Sequence, residues 1–371
     1  MSLNLHFPES GWEPIAQNWS AWWAGELERA LVVLECIEPK DEATSHYAST
    51  FLGNYAPEIP ADELLDLFIP RLQATYYLGD AFPRFWPNFG PGIVAAFAGA
   101  GLNAAKDTTW FSPAGVEEIS KLHVALLDDN PWWRRVKTVS LAAVKRWGNQ
   151  LSIGFTDLGG NLDILAHLRG TQQLLLDLVD FPGEIDRLVQ ETNQLWLQCY
   201  EAFYALTSLG CGITCWGPCW SPRRGYLLQS DFSYMISPLM FERYVLPDLA
   251  ACCEALDYAF YHLDGKGQLP HLDMLLALEG LRGIQWVPGD GQPQAEHTMP
   301  LLKRIRQSDK LCQVYVSAQG ALSILHELGG KGLALVINET LTPEQGRALV
   351  NEIRLIEKEH LRRRFHVTRL S

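Results

Sequence analysis

His262 and Asp264 are the residues of this 371-residue chain whose types and spacing most directly suggest chemistry. They follow an apolar aromatic run, Tyr258 to Tyr261, which predicts a buried strand. Side chains two positions apart on a strand point to the same side, and Glu339 follows another predicted strand. One histidine and two carboxylates are a plausible ligand set for Zn, or alternatively Mn or Fe, with positions left for water or substrate. Without a metal, the same three residues could act as general acid and base.

Other polar and aromatic side chains follow further predicted strands. Asp157 and Asp231 are candidate catalytic carboxylates. Arg223 could hold a carboxylate or phosphate, and Asp80 lies in a long aromatic loop, residues 79–92, of the kind that often covers an active site. The residues expected to bind substrate are Gln285, Trp286, Tyr315, Arg223, Trp216 and Asp80.

The elements that must position these residues alternate between strand and helix, most regularly over residues 237–338. Such units form βαβ crossovers in a parallel sheet, either open or closed into a barrel. The predicted strands lie near residues 31, 151, 212, 226, 258, 283, 312 and 333. Eight parallel strands favour a (β/α)8 TIM barrel of the α/β class, with working residues on the loops after the strands. The link 217–225 is too short for a full helix, and residues 62–78 are predicted to be helical.

A single domain is expected to span residues 1–371. It would comprise an N-terminal helical, aromatic extension over 1–30, the barrel over 31–355 and a basic C-terminal tail over 356–371. The extension contains Trp12, Trp19, Trp22 and Trp23. We expect these tryptophans to pack a helical layer against the body; a wall for a flat or sugar-like ligand is the alternative.

Composition excludes several classes of partner. The chain has 47% hydrophobic and 20% charged residues, which is typical of a soluble globular protein, and its net charge is −13. That charge argues against nucleic acid or an anionic membrane as the main partner, since both require a cationic face. No stretch reaches the roughly 20 apolar residues of a membrane helix, and no signal peptide is recognisable. We therefore expect a cytoplasmic protein whose eight cysteines are reduced.

Three segments carry a resemblance to a known family. They are Ser237-Pro-Leu-Met-Phe-Glu-Arg-Tyr-Val-Leu-Pro247, His262-Leu-Asp264 and Gln285-Trp-Val-Pro-Gly289. Together they resemble the uroporphyrinogen decarboxylase superfamily, over residues 150–355 well and over the N-terminal part loosely. The resemblance implies a (β/α)8 barrel and one of several activities: the decarboxylase itself, cobalamin-dependent methyl transfer to thiols, or related zinc-dependent methyl transfer.

The chain departs from both main branches of that superfamily. The Arg-Gln-Ala-Gly-Arg-Tyr and Phe-Ser-Asp-Ile segments of the decarboxylase are missing. The methyltransferase branch has His-x-Cys after the fifth strand and a later cysteine, whereas this chain has His262-Leu-Asp264 and Asn338-Glu339 there. Oxygen ligands in place of thiolates shift the preference towards harder metals and oxygen-bearing substrates.

The sequence therefore predicts a metal-assisted enzyme of methyltransferase type that acts on a small molecule. A corrinoid carried by a partner protein is a possible co-substrate, and a homodimer is possible. One alternative is a metal-free decarboxylase of a porphyrinogen or another carboxylic acid that uses Asp231 or Asp157. The other is a non-catalytic barrel that binds a corrinoid or a small molecule.

Overall fold

A computed structural model describes residues 3–37, 51–105, 108–113 and 115–367. The strands are β1 (Leu31–Ile37), β2 (Thr75–Gly79), β3 (Arg84–Phe85), β4 (Gly101–Ala105), β5 (Thr108–Ser112), β6 (Ser152–Ile153), β7 (Gly225–Leu228), β8 (Tyr258–Asp264), β9 (Leu281–Val287), β10 (Leu311–Val316) and β11 (Leu333–Ile337). The helices are α1 (Trp12–Trp23), α2 (Ala61–Asp66), α3 (Ile69–Ala74), α4 (Ile93–Phe97), α5 (Pro131–Trp147), α6 (Asn161–Arg169), α7 (Thr171–Asp180), α8 (Pro182–Thr207), α9 (Pro238–Tyr244), α10 (Leu246–Ala255), α11 (Leu272–Ala277), α12 (Met299–Gln307), α13 (Ala318–Leu328) and α14 (Pro343–Val367).

A mostly parallel sheet of seven strands organises the described part of the chain, in the order β2-β1-β11-β10-β9-β8-β7. Helices connect β7, β8, β9, β10 and β11 in sequence, as βαβ crossovers require. The strand interiors are almost wholly apolar and buried, as expected for parallel strands covered on both faces. The predicted mixed α/β class is therefore confirmed.

Closure of this sheet into a barrel is not confirmed by strand pairing. Among the described residues, the hydrogen-bonded order ends at β2 on one side and at β7 on the other, while β3 and β6 form a separate parallel pair. The strand predicted near residue 212 is reduced to isolated bridges at Ile213 and Thr214. Its neighbours explain this, because the chain turns back at once and Ile213 pairs antiparallel with Ser221.

Residues 75–79 form strand β2, although residues 62–78 were predicted to be helical. Thr75, Tyr76 and Tyr77 are β-branched or aromatic, and β2 pairs antiparallel with the edge of β1. Pairing with a strand distant in sequence thus overrides the local helical pattern. The hairpin of β4 and β5 and the short β3 were also not among the predicted strands.

The N-terminal tryptophans pack as predicted. Trp19, Trp22 and Trp23 are buried, and the Trp22 and Phe260 rings lie 5.7 Å apart. The Trp23 carbonyl accepts a hydrogen bond from Arg282, the second residue of β9. Helix α1 therefore covers the amino-terminal ends of β8 and β9 and leaves their carboxyl ends for a site.

The predicted basic tail is mostly helical. Residues 356–367 continue α14, and the last four residues lie outside the described part. The Glu357 carboxylate is buried and accepts hydrogen bonds from the Ala30 amide at 2.5 Å and from Arg354 at 2.8 Å. This helix is therefore docked onto the start of β1. None of the helices in the described ranges combines the length and apolar character that a membrane crossing requires.

Candidate metal centre

Asp231, His262 and Asp264 come together at the carboxyl edge of the sheet. Asp231 opens the 3-10 turn Asp231–Met235 that follows β7, and the other two residues end the neighbouring parallel strand β8. One ligand atom from each side chain lies within 4.8 Å of the ligand atoms of the other two. Asp231 is exposed, while His262 and Asp264 are half-buried. The arrangement offers two oxygens and one nitrogen to a cation and leaves a solvent-accessible side.

Local sequence explains why the β8 residues face this site. Alternation along a strand places Phe260, His262 and Asp264 on one face, with Phe260 at the closed end beside α1. Gly265 then leaves the strand with φ 77°, which a side chain would disfavour. The chain therefore turns away from the sheet immediately after Asp264, the second candidate ligand.

Asp163, at the start of α6, fixes the turn that carries Asp231. Its carboxylate accepts the amide hydrogens of Asp231 at 3.0 Å and Phe232 at 2.7 Å, and also that of Gly160 at 3.2 Å. The Tyr234 ring from the same turn packs over Gly267, in the loop that follows Asp264. The turn is thus held between α6 and the loop after β8.

His262 is held by two neighbours. Its Nδ1 lies 2.6 Å from Oε1 of Gln285, its register partner on β9, and the Trp216 ring meets the imidazole edge-on at 4.9 Å between ring centroids. Burial lowers the pKa of His262, and the Gln285 hydrogen bond and the Asp264 charge oppose that effect. A neutral imidazole is the form that ligates a metal or accepts a proton.

Carboxylates crowd this edge of the sheet. The pKa of Asp231 is raised, because the surrounding protein desolvates its carboxylate although one side of the residue is open to solvent, and because Asp163, Asp264 and Asp157 repel its charge. Burial also raises the pKa of Asp163. Desolvated carboxylates that repel one another are stabilised in their ionised form by a cation, so the donor set fits a divalent metal.

Asp157 is the proton-bearing candidate beside this group. Its side chain is buried and accepts hydrogen bonds from the Gly159 amide at 2.9 Å and Gln229 at 3.3 Å. Burial is the main cause that raises the pKa of Asp157 to about 7, and the Asp163 charge contributes in the same direction. At neutral pH it can therefore both hold and release a proton.

The expected substrate-binding residues divide between the site and other places. Trp216 contacts His262 directly, and Tyr315 is half-buried, with its pKa raised to about 12 by burial. Trp286 is adjacent to Gln285 and so points to the opposite face of β9, where its Nε1 donates to Thr298 at 2.9 Å. Trp286 is therefore packed in the helical layer, which differs from the pocket wall expected of it.

Asp80, Arg223 and Glu339 also differ from their expected roles. Both Asp80 oxygens are occupied by hydrogen-bond donors, including two arginines, so it is a structural anchor. Arg223 precedes β7, at the amino-terminal edge, and its guanidinium lies 3.5 Å from the Asp257 carboxylate. Glu339 is not in the group of three; its carboxylate accepts the Ala318 amide hydrogen at 2.9 Å at the start of α13.

Two residues that matter at the site were missed from the sequence. Asp163 occupies the third position of a helix that begins at Asn161, where a carboxylate can accept backbone amides. Gln313 is an uncharged polar residue inside the apolar strand Leu311–Val316 and is buried. A buried amide needs a partner, which was the available signal.

The fold resembles that of a solved protein, whereas comparison with family models and with curated proteins gives no match. No family model matches the chain, and no curated protein matches it. Among solved structures, it is similar to a methyltransferase from Methanosarcina mazei with a TM-score of 0.59. The match covers 94% of this chain and 99% of the other chain at 12% identity. At that identity the likeness establishes a shared fold.

Proposed function

We propose that this chain is a metal-assisted enzyme of methyltransferase type that acts on a small molecule. The observation that carries the proposal is the convergence of Asp231, His262 and Asp264, whose ligand atoms lie within 4.8 Å of one another at the carboxyl edge of parallel strands. That edge is where α/β folds place their working residues. The similarity of fold to a protein described as a methyltransferase supports the type of reaction.

The proposal includes an architecture. The seven-stranded sheet and the β3–β6 pair would form one (β/α)8 barrel of the uroporphyrinogen decarboxylase superfamily, in a single domain. Support comes from the parallel order of six consecutive strands, β1 and β7 to β11, and from a fold match along nearly the whole chain. Closer likeness to the methyltransferase branch rests on the position of His262 and Asp264 at the end of a strand.

The donor set suggests the class of cation. One imidazole and two carboxylates suit Zn, Mn or Fe, and the exposed side at Asp231 gives substrate access. Lewis-acid polarisation of a substrate oxygen or sulfur is the chemistry that such a cation supplies. Asp157 would hold and deliver a proton near the reacting group, while Trp216 would form part of the apolar wall. A corrinoid on a partner protein remains the proposed methyl carrier.

Acid–base chemistry without a metal is the second candidate. It is favoured by the raised pKa of Asp157, about 7, and of Asp231, since carboxylic acids that stay protonated near neutral pH can deliver a proton. In that case the purified protein would bind no divalent cation and would still depend on both aspartates.

Titration of the purified protein with Zn²⁺ and Mn²⁺ tests the proposal, with elemental analysis of the protein as isolated. His262→Ala and Asp231→Asn are each expected to weaken binding by at least about tenfold, because each removes one of three ligands. Glu339→Gln is the matched control and should bind as the wild type does, since its carboxylate accepts a helix amide. Full metal occupancy in His262→Ala would overturn the assignment, and loss of metal in Glu339→Gln alone would move the site to the last strand. With a small thiol added as the methyl acceptor, loss of the methyl group from methylcobalamin, followed by its absorbance, then measures methyl transfer.

A further inference from the structure

A row of side-chain amides crosses the sheet behind His262. Gln285 on β9 and Gln313 on β10 are both buried. Gln285 lies directly opposite His262 on β8 and directly opposite Gln313 on β10 in the strand register. Gln285 Nε2 donates to Gln313 Oε1 at 2.5 Å, and Gln313 Nε2 donates to the Pro218 carbonyl at 3.1 Å. The row therefore runs from the imidazole through two amides to one backbone carbonyl.

That carbonyl sets the direction of every hydrogen bond in the row. A backbone carbonyl only accepts, so Gln313 must present its NH2 group to Pro218 and its oxygen to Gln285. Gln285 must then present its NH2 group to Gln313 and its oxygen to His262. Turning either amide over would place two oxygens in contact in a buried site, which is strongly unfavourable. The atom of His262 that faces this oxygen at 2.6 Å must be a donor, and it is Nδ1.

We propose that Gln285 and Gln313 are positioning residues that hold the neutral His262 in its Nδ1–H tautomer, so that Nε2 alone offers a lone pair at the site. Partners of this kind orient histidine ligands and raise their affinity for a metal. The tautomer follows from the hydrogen bonds alone; its consequence for a cation or a reacting proton rests on the proposed function.

Nitrogen-15 NMR of histidine-labelled, metal-free protein at about pH 8 reads the tautomer directly, because protonated and unprotonated ring nitrogens differ widely in shift. His262→Asn assigns the signals. The wild type should show a protonated Nδ1 and an unprotonated Nε2. Gln313→Leu touches no atom of the imidazole, yet it frees Gln285 to turn over and should give a mixture of tautomers.

Gln268→Leu is the matched control. Gln268 is equally buried and near in sequence, but it accepts a hydrogen bond from Tyr261 and lies outside the row. Its replacement should leave the His262 signals unchanged. A protonated Nε2 in the wild type would overturn the proposal whether or not the variants fold, and so would a Gln313→Leu spectrum identical to the wild type.

Metal titration of the same variants separates this inference from the proposed function. Gln313→Leu should weaken Zn²⁺ binding about tenfold, while Gln268→Leu should not. A wild-type protein that binds no cation but shows the Nδ1–H tautomer would defeat the proposed function and leave the inference intact. Tight Zn²⁺ binding together with a protonated Nε2 in the metal-free protein would overturn the inference and leave the proposed function intact.

Discussion

Replacing Asp80 by alanine should destabilise the protein more than the loss of any exposed ion pair. Asp80 is 1% exposed, and its carboxylate accepts hydrogen bonds from Arg29, Arg354, Asn18 and the Val32 amide, all between 2.8 and 2.9 Å. These donors come from α1, from the segment between α1 and β1, from β1 itself and from α14. One carboxylate thus ties the two ends of the described chain to the sheet.

The loss in the free energy of unfolding can be estimated from the solvent exposure of Asp80 and of its arginine partners. Removing one partner of a fully buried ion pair costs about 3–5 kcal/mol, because the remaining charge is left unpaired. The two guanidiniums, of Arg29 and Arg354, are 24% and 25% exposed and can regain some hydration, so the lower end of that range applies. We expect about 3 kcal/mol for Asp80→Ala and about 2 kcal/mol for Asp80→Asn, which keeps the volume and one acceptor but loses the charge.

Thermal unfolding followed by circular dichroism measures this difference. For a chain of this length, 3 kcal/mol corresponds to a fall in Tm of roughly 4 °C. Asp273→Ala is the control, since Asp273 is 79% exposed and pairs with Arg304 on the surface; it should change stability by less than about 0.5 kcal/mol. Equal melting temperatures for Asp80→Ala and Asp273→Ala would refute the anchoring role and would reopen the substrate-binding role for Asp80.

Two further predictions concern pH and the turn at the site. Burial raises the pKa of Asp248 from 3.8 to about 7, so the native state holds this proton more tightly than the unfolded state. Ionisation of Asp248 therefore lowers the stability of the fold. This destabilisation is absent below about pH 4, grows up to about pH 7 and is complete above it. The stability of Asp248→Asn relative to the wild type should therefore increase between about pH 5 and pH 8, by at most about 4 kcal/mol. A difference in Tm between the two proteins that stays constant across that range would contradict this prediction. Gly267→Ala would place a methyl group 2.5 Å from the Tyr234 ring and shift the turn that carries Asp231. Zn²⁺ affinity should fall roughly tenfold with the fold retained, whereas Gly183→Ala, which meets nothing within 4 Å, should bind normally.

Much of the fold could be read from local patterns. The alternation of apolar strands with amphipathic helices over residues 237–338 predicted the parallel core, and β8, β9, β10 and β11 lie where it placed them. Segments with mixed signals were less predictable. The tyrosines at residues 76 and 77 became strand only because the edge of β1 was available for pairing. The strand near 212 shrank to bridges because a tight turn drew Ile213 to Ser221.

Which residues join the site depended on contacts between segments that are far apart in the sequence. His262 and Asp264 were predicted together because strand alternation is a local property. The third carboxylate was predicted to be Glu339, at the end of the last strand, but the fold brings Asp231 into the group instead and Glu339 accepts a helix amide. Asp231 was expected to be catalytic, and its place beside the β8 residues follows from the pairing of β7 with β8.

The amino-acid sequence by itself determined the α/β alternation and the pair of potential ligands at the end of β8, because both follow from periodicities within a few residues. Only the tertiary structure decided which carboxylate joins that pair, which hydrogen bonds Asp80 makes, and how the row from His262 to Pro218 is directed. These outcomes depend on strand register and on contacts between segments tens to hundreds of residues apart. Register is fixed by the burial of whole strands, and no single segment encodes it.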